Sequence, residues 1–136
     1  MGAKILIIDD DVDIVEGEKI LLEGNGYTVF TAFDGEEGLR KIRDEVPDLV
    51  ILDVIMASPT EGFELTRQIK GDERLASIPI LMVTSVRRDD ETRRHLVKGI
   101  LPHVEDYIEK PVRPEQILQT VRSVLERREG KPPAPG

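Results

Sequence analysis

Three consecutive carboxylates, Asp9, Asp10 and Asp11, follow directly on the aliphatic run Ile5 to Ile8. A second acid-terminated run, Leu49 to Leu52, ends at Asp53. The run Ile78 to Val83 ends at Thr84, and Lys110 follows the more alternating stretch over 104–109. Brought to one place, these residues make an oxygen-rich, negative pocket beside one hydroxyl and one ammonium. Carboxylates crowded in that way repel, and a divalent cation removes the repulsion. Mg²⁺ suits the donor set, because it binds through one or two carboxylates together with phosphate oxygens and water. Three carboxylates, one dication and one lysine reach formal neutrality, so an incoming phosphoryl group would meet no net repulsion. Taken singly, each residue has an ordinary role. One of Asp9 to Asp11 could cap a helix starting near Val12, Asp53 and Thr84 could close turns, and Lys110 could be solvated. Their joint placement at strand ends is what points to a shared metal and anion site.

The elements that must position them are legible as an alternation. Apolar runs at 3–8, 27–32, 48–53, 78–83 and 104–109 read as strands. The first, third and fourth are almost wholly apolar, as for strands covered on both faces. The second and fifth alternate more, as expected nearer a sheet edge. Helical patterns lie between them at 12–23, 35–45, 61–70, 88–98 and 114–128. Five βα units predict a doubly wound α/β fold with a five-stranded parallel sheet, right-handed crossovers and helices on both faces. In the order 2-1-3-4-5, strands 1 and 3 are neighbours where the order reverses, and ligands bind beyond the carboxyl ends there. Asp9, Asp10 and Asp53 then share one rim, with Thr84 and Lys110 beside them. The segment Gly24-Asn25-Gly26 is no dinucleotide fingerprint: it follows a helix and lacks the third glycine. One domain is expected over 1–129, and Gly130 to Gly136, rich in proline and glycine, reads as a disordered tail.

Composition removes other classes. The net charge of −8 gives no general attraction for nucleic acid or an anionic membrane. With no cysteine, thiol nucleophiles, disulfides and cysteine metal sites are excluded. No apolar run reaches membrane-spanning length, and no signal peptide is visible. A cytoplasmic location is expected.

At these residues the chain resembles the receiver domain of two-component response regulators, with its flavodoxin-like, CheY-like fold. "ILIIDDD", "DLVILDVIM", "IPILMVTS" and "DYIEKPV" match that family's motifs in order. The resemblance implies that Asp53 is the phosphoacceptor and that Asp10 binds Mg²⁺ directly, Asp9 largely through water. The Ile55 backbone carbonyl is implied as a further metal ligand. Thr84 is implied to donate its hydroxyl to the phosphoryl group, Lys110 to pair with Asp53 or with the phosphoryl oxygens, and Thr84 and Tyr107 to form the switch. The implied donor is the phosphohistidine of a histidine kinase. The implied output surface is the helix at 88–98, the fifth strand and the last helix, read by a partner protein and available for homodimerisation. Such a protein is a phosphoacceptor with self-catalysed phosphorylation and slow autodephosphorylation rather than a free-standing enzyme.

The sequence departs from the family in two places. After Asp53 it reads "MASPTEGFEL", with the proline displaced to Pro59 and one extra residue before Gly62. The segment from Thr84 to Lys110 is also longer than usual. Ile55 and Val86 are the positions that flank the phosphoryl group in relatives. Both are apolar and offer no hydrogen bond to an attacking water, so a slowly hydrolysing phosphoryl-aspartate is expected. Two alternatives compete with the switch: an aspartyl-phosphate phosphohydrolase, disfavoured because position 55 carries no second acid, and a binding scaffold that is never phosphorylated.

Overall fold

Aliphatic strands without polar alternation need cover on both faces, and the computed structural model of the chain supplies it. It describes residues 2–53, 59–84, 106–109 and 113–130. Strands β1 (Lys4–Ile8), β2 (Thr28–Ala32), β3 (Leu49–Asp53), β4 (Ile80–Thr84) and β5 (Asp106–Glu109) form one sheet in the order β2-β1-β3-β4-β5. All four pairings are parallel. The order is the expected one, and the two alternating strands, β2 and β5, are the edges.

Successive side chains point to opposite faces of a strand, and two cores result. Ile5, Ile7, Leu49, Ile51, Leu81, Val83 and Ile108 face helices α1 (Val12–Gly24) and α4 (Pro114–Gly130), meeting Val15, Leu22, Ile117 and Val121. Leu6, Ile8, Val50, Leu52 and Ile80 face α2 (Gly35–Glu45) and α3 (Pro59–Gly71), meeting Ile42, Leu65 and Ile69. Burying each such side chain contributes about 1.5–3 kcal/mol before chain entropy is charged against it. β3, central and buried at every position, is the most deeply held strand. At the free edge, the Lys41 ammonium donates to the Thr31 carbonyl and so covers a backbone acceptor of β2.

Local signals set the helix ends. Asp34 accepts from the Glu37 amide at 2.7 Å, and the Glu37 carboxylate accepts from the Phe33 amide at 2.8 Å. This reciprocal cap starts α2. Pro59 is the first residue of α3, where its missing N–H is not needed. The displaced proline therefore begins the helix, two residues before the expected start at 61. Gly130, placed by sequence in the tail, is the last residue of α4. Residues 131–136 and the helix expected at 88–98 lie outside the described residues.

The periodicity of α1 misleads in part. Val12 is 55% and Ile20 69% exposed, whereas Val15 and Leu22, seven apart on one stripe, are buried. A helix packed on one side needs only that stripe. Among the described residues, no helix is long and apolar enough to cross a membrane.

Candidate metal and phosphoryl site

The sheet register builds the site. Ile8 pairs with Leu52, so Asp9 and Asp53 leave the ends of β1 and β3 at the same level. Asp53 pairs with Val83, which puts the Thr84 backbone one residue further along β4. From β1 the chain runs outward to β2 on one side. It then crosses to β3 on the other, so the strand order reverses at this seam. A crevice opens at the carboxyl ends where that happens.

The three neighbouring acids that follow β1 divide the work. The Asp9 amide donates to the Ala32 carbonyl at 3.1 Å, extending the β1–β2 pairing by one residue. The Asp9 carboxylate, 4% exposed, accepts from the Asp11 amide at 2.9 Å. Asp11 caps α1, accepting from the Asp13 amide at 3.0 Å and the Ile14 amide at 3.2 Å. Asp10 is exposed and belongs to neither bond. The sequence left open which of the three is the cap; the structure assigns it to Asp11.

Asp53 is 3% exposed at the end of β3. One carboxylate oxygen from each of Asp9, Asp10 and Asp53 lies within 4.8 Å of the other two. Two full charges that close repel by about 3 kcal/mol at an effective dielectric of about 20. Burial keeps Asp9 and Asp53 from turning to bulk water, and both make contacts within the chain. The donors are all hard oxygens, with no imidazole or thiolate, which suits Mg²⁺, Mn²⁺ or Ca²⁺ over zinc or copper.

The structure thus brings together Asp9, Asp10 and Asp53. It fixes the Thr84 backbone beside them, paired with Glu109, and the Tyr107 backbone on β5 opposite Met82. Lys110, Ile55 and Val86 lie outside the described residues. Sequence reasoning did not find Gly38. A β-carbon there would come within 2.6 Å of Ile8 Cδ1, so α2 crosses β1 closely at the residue preceding Asp9. A glycine inside a helical pattern was the sole available signal. A separate concavity of about 540 Å³ lies between α2 and α3, lined by Glu36, Leu39, Arg40, Arg43, Glu64 and Leu65 among others. None of the three clustered carboxylates lines it, and its mixed charges favour no ligand sign.

A level sheet edge at a reversal of strand order, carrying three clustered aspartates, defines a receiver-type site, and comparison with known proteins agrees. The family described as response regulator receiver domain matches residues 5–122, and the chain belongs to it. It is 38% identical over 129 residues to the alkaline phosphatase synthesis transcriptional regulatory protein PhoP of Bacillus subtilis, covering 95% of this chain but 51% of PhoP. It is 37% identical over 123 residues to protein PilH of Pseudomonas aeruginosa, covering 90% of this chain and 98% of PilH. The chain therefore spans about half of one relative and nearly all of the other. Among solved structures, a CheY-like receiver domain protein from Methanospirillum hungatei superposes with a TM-score of 0.83 at 29% identity. That match covers 97% of this chain and all of the other.

Proposed function

We propose that this chain is a phosphorylation-dependent signalling switch in which Asp53 accepts a phosphoryl group from a histidine kinase. The observation that carries the reading is the meeting of Asp9, Asp10 and Asp53 within 4.8 Å at the carboxyl edge of the β1–β3 seam. Asp9, Asp10, Asp53 and the Ile55 carbonyl would hold Mg²⁺, which would offset negative charge on the phosphoryl oxygens. An Asp53 carboxylate oxygen attacks phosphorus, the phosphorus–nitrogen bond of the donor breaks, and the electron pair stays on the imidazole nitrogen, which takes a proton from solvent. Transfer of this kind depends on positioning and charge stabilisation more than on covalent help. The Thr84 hydroxyl and the Lys110 ammonium then contact the phosphoryl oxygens.

Thr84 and Tyr107 form the switch, whose output is the surface of residues 88–98, β5 and α4. That surface takes a downstream protein or a second copy of the chain. The receiver occupies 1–129, works in the cytoplasm, and acts on itself rather than as a free-standing enzyme. Ile55 and Val86 shield the phosphoryl group from water, so the phosphoryl-aspartate hydrolyses slowly. Replacing them together, Ile55→Asn with Val86→Glu, should shorten its lifetime about tenfold, the effect of one or two hydrogen bonds to the attacking water.

Incubation with Mg²⁺ and acetyl phosphate, followed by intact mass, tests the reading, with Asp53→Asn as control. One stable adduct in the wild type and none in the variant supports the switch. Multiple turnover would make the chain a phosphohydrolase. Mg²⁺ binding with no adduct would make it a scaffold.

A further inference from the structure

The Gly24-Asn25-Gly26 turn takes no part in the phosphoryl site, yet it carries the chain's sole asparagine, followed by glycine. An asparagine amide before glycine is open to attack by the next backbone nitrogen, because glycine has no side chain to shield it. The Gly26 nitrogen adds to Asn25 Cγ and loses its proton, the Cγ–Nδ2 bond breaks, and ammonia leaves. Water then opens the cyclic imide at either carbonyl, giving aspartate or isoaspartate. Both residues are exposed, and Gly26 sits at φ +92°, where the chain turns from α1 into β2.

Three hydrogen bonds oppose this reaction. Asn25 Nδ2 donates to the Leu21 carbonyl at 2.8 Å, drawing the amide back over the preceding helical turn and away from Gly26. Arg122 Nη2, reaching across from α4, donates to Asn25 Oδ1 at 3.3 Å. The Gly26 amide itself donates to the Glu23 carbonyl at 3.1 Å. We propose that Asn25–Gly26 is a dormant deamidation site, clamped by Arg122 and the end of α1, and that loss of the clamp releases it. The product places a carboxylate, or in the isoaspartyl form an extra backbone methylene, at the turn. Just beyond it, the Thr28 amide donates to the Ala3 carbonyl and starts the β1–β2 pairing.

The test is ageing of the full chain in mildly alkaline buffer, followed by intact mass and by peptide mapping of residue 25. With one asparagine, a gain of one mass unit is readily assigned. The variants are Arg122→Ala, Arg122→Lys and, as a baseline on the same helix, Ser123→Ala, each checked for native circular dichroism. Arg122→Ala should deamidate about two- to tenfold faster than Ser123→Ala, the range that one ordinary hydrogen bond allows. Arg122→Lys should fall between them, and the urea-unfolded chain should be fastest of all. Equal rates in Arg122→Ala and Ser123→Ala would overturn the clamp. A folded wild type as fast as the unfolded chain would overturn the dormancy.

Discussion

At the amino-terminal end of the β1–β3 seam, Lys4 is held twice. Its amide donates to Asp48 Oδ2 at 2.8 Å, and its ammonium donates to the Glu45 carbonyl at 3.3 Å with the Glu45 carboxylate 3.9 Å away. The Asp48 amide returns a bond to the Lys4 carbonyl at 2.8 Å. Five residues along, at the carboxyl-terminal end, the same two strands deliver Asp9, Asp10 and Asp53 into a 4.8 Å cluster. One end matches charge to fasten backbone to backbone. The other concentrates charge of one sign at the edge where ligands bind. Charges that hold a fold come with their complement close by, and a like-charge cluster gains further stability from a cation it binds.

The largest expected effect separates the ends by metal affinity. Asp10→Ala should weaken Mg²⁺ binding at least about tenfold, since even an outer-shell partner of a metal ligand is worth about 10–100-fold. Asp48→Ala should leave it unchanged in the same calorimetric titration. Equal losses in the two variants would break the comparison. The next effect is on stability. Asp48→Ala removes the acceptor of the exposed Lys4 amide and should cost about 0.5–1.5 kcal/mol in urea unfolding. Asp10→Ala, at an exposed position that caps nothing, should cost little.

A smaller effect has the opposite sign. In metal-free buffer Asp53→Asn keeps the shape and removes one of the clustered charges. It should raise stability by about 1 kcal/mol, or about 3–5 °C in melting temperature, provided the repulsion it relieves exceeds what the Asp53 carboxylate gains from its contacts within the chain. Adding Mg²⁺ should shrink or invert that gain, because a ligand that binds only the folded wild type stabilises it. Loss of stability in metal-free buffer would show that the contacts the Asp53 carboxylate makes within the chain outweigh the repulsion.

The two ends were unequally legible in the sequence. Strand order and the acid edge could be read because parallel strands buried on both faces leave long aliphatic runs, and whatever ends such a run sits at a rim. Hence Asp9, Asp10 and Asp53 were placed together correctly. The division among Asp9, Asp10 and Asp11 was not readable, since cap and ligand are chemically the same group and differ only in where the backbone turns. The Lys4–Glu45–Asp48 brace left no local trace: Lys4 lies more than forty positions from both acids, and each residue alone looks like a solvated charge. The exposure of Val12 and Ile20 escaped for a related reason. Apolar spacing locates a helix but does not say how wide a stripe its neighbours cover.

The smallest effect tests the braced end at its one strained residue. Val46, the residue after α2, has φ 43° and ψ 68°, left-handed values, while its amide donates to the Ile42 carbonyl at 2.9 Å. For a residue with a β-carbon this conformation costs about 1–2 kcal/mol, and for a β-branched one it is rare. Val46 is 53% exposed, so little burial offsets that cost. Val46→Gly removes the strain but adds about 0.5–1 kcal/mol of unfolded-chain entropy. A net gain of about 0.5–1 kcal/mol in urea unfolding is expected, with Mg²⁺ affinity unchanged. Val46→Asn, which tolerates the left-handed region without the full glycine entropy, should gain as much. Destabilisation by both would mean that the valine side chain helps set the turn through Pro47 into Asp48, and that the brace depends on packing as well as on matched charge.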